Sequence, residues 1–449
     1  MELLWTDKCF LSVLLISALI TLFSLRKKHI RVAFKRIGKK PLAMSAGVVL
    51  LFFLTLGVLD SIHLNAVSSE NANASLEQND SLLDRILAPL GNVYEKTYSA
   101  PLALNLYSIE TVLVNNKVEQ IYPRLNYVSQ RIKTSQDKHH TILQTLVKAF
   151  LMSTYLGGLL WLLMIVIPWF STKKITVLPS KSGFSVLLTS FVCLFIMFAS
   201  YWISRDFHLL GTGKIGQDIF YYTVKSIRTG LVIGILTTLF MLPLALLFGI
   251  AAGYFGGLID DVIQYVYTTL SSIPGVLLIT ASVLSMQTYI ANHPQEFATL
   301  AKSADARLFA LCLILGVTSW TSLCRLLRAE TLKLREIDYV TAARALGSNS
   351  FTIIRKHLLP NVMHIVLITL VLDFSFLVLA EAVLSYVGVG VSPMTISWGN
   401  MINGARLELA REPIVWWPMM SAFILMFILV LASNLFADAV RDAFDPHQT

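Results

Sequence analysis

The stretch DYVTAARALGSNSFTIIRKHLLPN, Asp338 to Asn361, lies between two strongly apolar runs of the chain. It is too polar to enter a bilayer, and it lacks the Gly and Ser content of a slack linker. Its first half predicts a short helix with one apolar stripe at i, i+3, i+4 and i+7, formed by Tyr339, Ala342, Ala343 and Leu346. Gly347 is expected to end that helix, because glycine is common just past a helix C-terminus.

The second half of the stretch predicts one or two further helical turns. Phe351, Ile354 and Leu358 fall on one side of these turns. Pro360 is expected to stop them, since proline lacks the N–H that a helix interior needs. The sequence therefore predicts a compact helix-turn-helix knob, joined rigidly to the apolar run on either side. A knob of this kind can pack beneath its own bundle or dock on another surface.

The composition is that of an integral membrane protein. Hydrophobic residues make up 55% of the 449 residues and charged residues only 14%, against roughly 25% charged in soluble domains. The apolar residues concentrate in runs of about 17 to 25, the length of a helix that crosses hydrocarbon. The fold class expected is all-α, a polytopic bundle of transmembrane helices.

Nine spans are predicted, and the basic loops indicate their orientation. The spans are 9–25, 43–62, 149–170, 184–203, 228–253, 262–286, 305–325, 362–388 and 416–437. The segment Arg26–Lys40 holds eight Lys and Arg and no acid, so it is expected to be cytoplasmic. Basic residues in cytoplasmic loops account for the net charge of +9, so the charge does not indicate nucleic-acid binding. The N-terminus is then extracytoplasmic and the C-terminus cytoplasmic.

Four regions follow from these spans. Residues 1–62 hold two helices and a basic loop, 63–148 an extracytoplasmic loop or small helical cap, 149–183 a third extra helix with its linker, and 184–449 the core. Within the loop, residues 68–81 are polar and expected to be flexible. Ile121, Leu125, Val128 and Ile132 recur at helical spacing after Pro123 and predict an amphipathic helix.

No motif predicts an enzyme, a metal site or a cofactor bound by this chain. A phosphate-binding loop needs GxxxxGK[ST], and GTGK at 211–214 fails because position 208 is His and Ile215 follows the lysine. Adjacent His139 and His140 would point in different directions on a helix, which disfavours metal binding. The four cysteines have no CxxC spacing and are interpreted as small buried hydrophobes.

The pattern DYVxAARALGx9HLLPN resembles the coupling loop, or EAA motif, of permeases of binding-protein-dependent ABC importers. It is most similar to the C-type subunits of the dipeptide, oligopeptide and nickel family. Four further stretches resemble family segments at the family's spacing: HLLGTGKIGQD (208–218), AAGYFGGLIDD (251–261), VLSYVGVGVSP with SWGN (383–400) and DAVRDAFDP (438–446). The resemblance covers about residues 184–446 and leaves out the first three spans and the large loop.

The resemblance implies a six-helix permease core that forms half of a translocation pore. It implies as partners a homologous second permease subunit, two ABC ATPases that use ATP, an extracytoplasmic solute-binding protein and membrane lipid, in a bacterial inner membrane. The coupling loop, 326–361, would receive the ATPase through Asp338, Tyr339, Thr341, Ala342, Ala343, Gly347, His357 and Pro360. The matching extracytoplasmic signature residues are His208, Gly211, Thr212, Gly216 and Asp218.

The sequence departs from the family pattern at three positions. Thr341 stands where the motif has its glutamate, Gly213 where the family has aspartate, and Gln217 where it has arginine. The charged contacts that family members make from these positions are therefore in doubt here.

Ionisable residues and prolines inside the spans are candidate pore or gate residues. Asp373 and Glu381 both fall in the eighth span, and such residues usually face a bundle interior or a water-filled path. Each could line the pathway or form a structural pair. Pro243 and Pro274 fall within predicted spans five and six, where each can kink the helix for a gate or for ordinary packing.

Other functions remain open at this point. The chain could be a membrane receptor or scaffold that senses a ligand through its large loop, or a secondary transporter, which the absence of paired broken spans disfavours. An importer could also carry an oligosaccharide or nickel complex in place of a peptide.

Overall fold

The computed structural model describes residues 4–24, 26, 28–63, 81–91, 93–114, 117–129, 132, 134–172, 180–295, 297 and 299–444. The polar stretch predicted to be flexible, residues 68–81, lies largely outside these residues.

Helices dominate the described residues. In chain order they are α1 (Trp5–Ser24), α2 (Lys28–Ile37), α3 (Pro41–Ser61), α4 (Leu82–Ile86), α5 (Ala88–Gly91), α6 (Ser135–Thr172), α7 (Lys181–Ile203), α8 (Ile219–Phe255), α9 (Gly257–Ser272), α10 (Gly275–Asn292), α11 (Leu300–Arg335), α12 (Asp338–Ala345), α13 (Ser350–Ile353), α14 (Leu359–Val387), α15 (Trp398–Ala405) and α16 (Trp417–Phe444). A π-helical turn covers Ile354–Leu358 and a 3-10 turn Glu408–Ala410. Strands β1 (Glu110–Val114) and β2 (Lys117–Ile121) pair as an antiparallel hairpin, with Glu110 opposite Ile121.

Within the described residues, nine helices are long and apolar enough to cross a membrane. They are Trp5–Ser24, Pro41–Ser61, Ser135–Leu163, Lys181–Ile203, Ile219–Phe255, Gly275–Asn292, Leu300–Arg335, Ser350–Val387 and Trp417–Phe444. The prediction of an all-α polytopic protein with about nine spans is confirmed.

The sixth span differs from its prediction. Residues 262–286 are not one helix, because α9 ends at Ser272 and α10 begins at Gly275. Pro274 is the N-cap of α10, and Ile273 before it is extended with ψ 130°. A residue that precedes proline avoids the helical region, so the chain breaks here rather than kinks. Pro243, in contrast, lies inside α8 as predicted.

The chain divides into two compact units. The first comprises mainly Gly38–Thr229 and Ile396–Ala432. In it α7 packs against both α3 and α6, and the described residues between α3 and α6, here named the appended segment (81–132), form small apolar clusters with the start of α8.

The helix predicted from Ile121 to Ile132 is wrong. β2 ends at Ile121, and residues 122–129 form bends and an isolated bridge between Arg124 and Asn105. The backbone there is hydrogen-bonded across the chain instead of along a helix: Leu106 N–H donates to Pro123 O at 2.8 Å and Leu125 N–H to Leu104 O at 3.0 Å. The apolar spacing still marks burial, since Leu125, Val128 and Ile132 pack in one cluster with Phe207.

The second unit comprises mainly Leu3–Ile37, Gly230–Thr395 and the residues from Ser433 onward. Gly249 and Gly253 of α8, spaced as GxxxG, let α11 approach closely. A Cβ on Gly249 would lie 2.7 Å from Leu327 Cβ, and one on Gly253 2.8 Å from Arg328 O. The buried core of this unit joins α8, α9, α11 and α14 with the stretch 338–361.

Candidate functional site

The stretch Asp338–Asn361, named here the coupling segment, begins with α12, and glycine ends this helix as predicted. Gly347 has φ +78°. Its N–H donates to Arg344 O at 3.0 Å, and Ser348 N–H donates to Ala343 O at 3.1 Å. These two bonds are a Schellman motif, which requires a left-handed residue where Gly347 stands.

Pro360 does not end the second half of the segment. Asn349 caps α13, and the helix then runs through the π-turn into α14, with Pro360 in its first turn. Leu359 N–H donates to Ile354 O, five residues back. A proline inside a regular helix clashes with the carbonyl four residues before it. The wider π-turn ahead of Pro360 supplies the local irregularity that accommodates such a ring.

The inner side of the coupling segment is completely buried. Val340, Ile353 and Leu358 are each 0% exposed. They pack in one cluster with side chains of α8, α9, α11 and α14 from the same unit. Movement of the segment is therefore resisted by contacts with four helices. Of the three buried anchors, Leu358 is on the predicted apolar side of the second half, whereas Val340 and Ile353 are not among the predicted apolar positions.

The outer side of the segment is exposed and apolar. Leu346 is 86% exposed, Phe351 68% and Tyr339 41%. Ala342 beside them is also exposed. A large exposed apolar group on a polar, membrane-flanking segment is typical of an interaction site.

One hydrogen bond and one ring contact join the two halves of the segment. Asn361 Nδ2 donates to the Tyr339 hydroxyl at 2.7 Å and to His357 O at 2.8 Å, and the Tyr339 and His357 rings lie 5.8 Å apart. The structure thus brings Tyr339 and His357 together through Asn361, which sequence reasoning did not single out. Thr341 is exposed, and its hydroxyl donates to Asp338 O at 2.9 Å.

The end of α8 contacts the segment, and the start of α9 pairs with α11. The Arg344 guanidinium lies 5.4 Å from the Tyr254 ring centre. Arg328 of α11 donates from Nη2 to Asp260 Oδ2 at 2.7 Å. That hydrogen bond, with the charge of Arg328, holds the pKa of Asp260 below its usual range. The AGYFGGLIDD stretch contained the signal for this contact, because Tyr254 and Asp260 both belong to it.

The signature loop, residues 208–218, is a second and separate site. His208, Thr212 and Asp218 are 0 to 1% exposed. His208 Nδ1 lies 2.6 Å from Asp218 Oδ2, and Asp218 Oδ1 accepts from Tyr221 N–H at 2.9 Å at the start of α8. Thr212 Oγ1 accepts from Ser99 N–H at 2.7 Å. All these contacts lie within the first unit.

Gly211 and Gly216 shape this loop, with φ +73° and φ +74°. Gly216 O accepts from Glu95 N–H at 3.0 Å, and a Cβ on Gly216 would lie 1.7 Å from Glu95 O. The appended segment therefore lies directly on the signature glycines.

Glu95 of the appended segment completes a buried charged cluster that sequence reasoning missed. Its Oε1 lies 3.8 Å from His208 Nε2, and the Tyr127 ring stacks on the imidazole at 4.7 Å. Burial would lower the pKa of His208, but the Asp218 and Glu95 carboxylates raise it to about 9. Burial would raise the pKa of Glu95, but His208 and the backbone N–H of Tyr127 hold it below its usual range. The imidazole is thus charged at neutral pH.

A second ionic contact fixes the appended segment to the start of α8. Lys225 Nζ lies 2.6 Å from Asp84 Oδ1, and the Tyr221 hydroxyl donates to the same oxygen at 2.6 Å. Burial would raise the pKa of Asp84, but Lys225 and these hydrogen bonds hold it below its usual range.

The two acids of the eighth span differ in their surroundings. Glu381 is 2% exposed and accepts from Ser385 Oγ at 2.7 Å. Asp373 is half-buried and has no hydrogen bond or ion pair within the described part of the chain. An exposed apolar stripe borders Asp373 on α14: Leu372, Phe376, Leu379, Val383 and Val387. Asp373 is thus the acid that remains free for a ligand or partner. Among the described residues, no group of three His, Cys, Asp or Glu could hold a metal ion.

The family model for the inner membrane component of binding-protein-dependent transport systems matches residues 245–449. This range contains the coupling segment and α14 and excludes the signature loop and the appended segment.

Curated relatives extend the likeness. The chain is 32% identical over 239 residues to the oligopeptide transport system permease protein of Mycobacterium bovis, covering 53% of this chain and 76% of that one. It is 30% identical to a glutathione transport system permease protein of Pectobacterium atrosepticum, covering 53% and 72%. It is also 30% identical to the dipeptide transport system permease protein of Lactococcus lactis, covering 54% of this chain and 64%, just under two thirds, of that one.

Among solved structures, a chain of the MetNI methionine ABC transporter in an inward-facing conformation matches with a TM-score of 0.38 at 19% identity, covering 51% of this chain and 98% of that one. That score is too low to indicate a shared fold. The sequence relatives and the family model suffice: this chain is a multi-pass inner-membrane protein of the family of binding-protein-dependent transport system inner membrane components.

Proposed function

We propose that the chain is a permease subunit of an ABC importer and forms half of the translocation pore for peptides or similar small solutes. Its relatives are named for oligopeptide, glutathione and dipeptide transport. The chain itself hydrolyses no ATP in this proposal. Partner ATPases do so, and the coupling segment receives their movement.

One observation carries the proposal: the coupling segment has an exposed apolar outer side and a fully buried inner side. Leu346 and Phe351 offer apolar surface to a partner, while Val340, Ile353 and Leu358 are 0% exposed. Close-packed interiors deform little, so a displacement of the outer side moves the packed helices with it. The segment can therefore pass a push from an ATPase to α8, α9, α11 and α14.

The exposed stripe of α14 supports a pathway role for that helix. An unpaired carboxylate facing lipid is costly, whereas one facing a water-filled path is not. Asp373 beside this stripe therefore favours α14 as the helix that faces the pathway and the second permease subunit. Pro243 inside α8 is a candidate gate position in this arrangement, whereas Pro274 marks a fixed break between α9 and α10.

The assembly proposed contains this chain, a homologous second permease, two ATPases and an extracytoplasmic solute-binding protein. The C-terminus and the coupling segment face the cytoplasm, and the N-terminus and the appended segment face outside. Departures at Thr341, Gly213 and Gln217 change which charges are available to these partners without altering the glycine framework.

Co-purification with a matched pair of variants tests the proposal. The tagged full chain is extracted gently, and its partners are identified by mass spectrometry in wild type, Leu346→Gln and Leu300→Gln. Both leucines are highly exposed, at 86% and 70%, and both lie in the second unit. Only Leu346 belongs to the coupling segment. We expect the wild type and Leu300→Gln to retain a second permease and the ATPases, and Leu346→Gln to lose the ATPases.

Other outcomes would assign a different function. Recovery of soluble partners unrelated to nucleotide hydrolysis would replace the importer with the membrane receptor or scaffold. If the wild type retains the ATPases, the solute class is identified by measuring uptake of a labelled peptide in the presence of unlabelled oligosaccharide or nickel complexes as competitors. Loss of the ATPases in both variants would show that Leu346 has no special role in docking.

A further inference from the structure

A small cavity in the second unit lies between α10, α11 and the turn that follows α14. Arg307 and Gln287 are its polar lining, Val283, Leu311 and Ile314 belong to its apolar lining, and Gly390 forms the wall next to α14. In the predicted topology, residues 287–304 and 389–415 face outside. The cavity then lies at the end of the unit from which a solute arrives.

Arg307 has a buried donor without an acceptor. Its Nε is inaccessible to solvent and has no hydrogen-bond partner in the part of the chain that the structure describes. The nearest acid in sequence, Asp305, is occupied, since its Oδ2 accepts from Trp5 N–H at 2.8 Å and its Oδ1 from the Thr6 hydroxyl. Arginine stays protonated in proteins, and a buried N–H donor left without an acceptor is unfavourable even where the rest of the side chain is only half-buried. The cavity therefore favours an anionic ligand atom.

The size and lining of the cavity restrict that ligand further. Its volume of about 10 Å³ has room for about one water-sized group. The Gln287 side chain makes no hydrogen bond with any other described residue, so its amide N–H is free to donate. A single oxygen of an oxyanion matches this combination, because guanidinium and amide N–H groups both donate to it and it fits a space of this size.

We propose that Arg307 and Gln287 form an oxyanion subsite that takes the terminal carboxylate of a solute on its way into the pore. The proposal deepens the proposed function and rests on it for the source of the carboxylate. The same chemistry would also accept the phosphate of an anionic lipid headgroup, so the test separates the two sources.

Ligand-induced stabilisation of the purified full chain tests the subsite without requiring transport. The probes are N-acetylalanine, N-acetylalanine amide and glycerol 3-phosphate, each compared with sodium chloride at equal ionic strength. We expect N-acetylalanine, and not the amide, to raise the melting temperature of the wild type. Arg307→Gln should weaken its apparent affinity about tenfold or more, the effect of one charged hydrogen bond. Gln287→Leu should weaken it less.

Two controls keep the result interpretable. Arg307→Lys, which removes the Nε donor, replaces Arg307→Gln if the latter fails to fold. Arg325→Gln removes an exposed arginine of α11 outside the coupling segment and should leave the stabilisation unchanged. Equal stabilisation of wild type and Arg307→Gln, or equal effects of the acid and the amide, would overturn the subsite. Stabilisation by glycerol 3-phosphate alone, lost in Arg307→Gln, would overturn the solute carboxylate and assign the subsite to a lipid phosphate.

Uptake by the co-purified complex in proteoliposomes then tests the link to transport. With the binding protein unchanged, Arg307→Gln should reduce uptake of trialanine more than uptake of trialanine amide. Equal reduction of both would count against a carboxylate subsite on the pathway. No uptake of either peptide by wild type would count against the proposed function, while the stabilisation assay still decides whether the oxyanion subsite exists.

Discussion

The coupling segment and the signature loop are both built on glycines with positive φ, yet their surroundings are opposite. Gly347 has no atom within 4 Å of an added Cβ, whereas a Cβ on Gly216 would lie 1.7 Å from Glu95 O. Leu346 beside Gly347 is 86% exposed, and His208 of the signature loop is 0% exposed. One glycine turn leaves a surface open for a partner, and the other is filled by the chain's own appended segment.

Neither Gly213 nor Gln217 of the signature loop carries a charge. Gly213 N–H donates to Gln217 O at 2.9 Å, and Gln217 Oε1 accepts from Ile215 N–H at 3.0 Å, so the loop closes on itself. His208 pairs with Asp218 of the loop at 2.6 Å and gains a second charged partner, Glu95, from outside the loop at 3.8 Å. We infer that the appended segment is a structural part of the first unit and not a tethered addition.

The largest effect expected is that of Gly216→Ala. The Cβ of the alanine would collide with backbone atoms of Glu95, and the alanine would be held in the left-handed conformation of Gly216. Overpacking and strain together should lower the free energy of unfolding by about 3 kcal/mol or more. Thermal unfolding of the purified chain measures the loss.

Gly213→Ala is the matched control. Its Cβ would meet the flexible side chain of Gln217, at 2.6 Å from Nε2, and not fixed backbone. The cost should be about 1 kcal/mol or less. Equal destabilisation by the two variants would show that the appended segment does not pack on Gly216 as described.

The next effect is a pH dependence of stability that resides in His208. Its pKa is raised to about 9, so the stabilisation is complete below the unfolded value of about 6.5 and is lost as pH rises through about 9. The loss should be on the order of 3 kcal/mol, since one unit of pKa is about 1.4 kcal/mol. His208→Asn keeps a donor toward Asp218. In this variant the melting temperature, measured from pH 6 to pH 10, should change less with pH than in the wild type.

The other groups that face His208 refine this prediction. Glu95 has a lowered pKa, and the stability that it contributes is lost only as pH falls through its pKa in the folded state. Its titration therefore lies below the range of pH 6 to 10 in which His208 is tested. Glu95→Gln removes one carboxylate and should move the alkaline loss of stability to lower pH. His293→Asn, at an exposed histidine, is the control. An unchanged profile in Glu95→Gln would contradict the assigned role of Glu95.

The sequence predicted the first half of the coupling segment well because local rules govern it. A glycine after a helical stripe predicts a helix end, and Gly347 ends α12 in a Schellman motif. Run length and hydropathy likewise predicted nine spans. These features depend on neighbours within a few residues, which the sequence displays directly.

The signature cluster could not be predicted, because its partners are far apart in sequence. Glu95 and His208 meet only after the appended segment folds onto the start of α8, and no local pattern marks Glu95 for that contact. The prediction that Pro360 stops the helix was wrong for a different reason. A π-turn over Ile354–Leu358 accommodates its ring, and Leu358 and Ile353 are buried there among side chains distant in sequence. Long-range packing decided both cases.

The smallest effect on stability is expected at Gly347, and it is the sharpest test of the comparison. Because the space around Gly347 is empty, Gly347→Ala should cost only the left-handed conformation, about 1 to 2 kcal/mol, and Gly347→Asp less, since aspartate tolerates that conformation better. Stability and ATPase recovery should therefore separate: Gly347→Asp folds and inserts, yet the added charge on the outer side lowers ATPase binding and uptake. Normal uptake in that variant would mean that the open side of the glycine turn is not a docking surface. A large loss of stability would mean that it is packed like Gly216, and the contrast between the two turns would disappear.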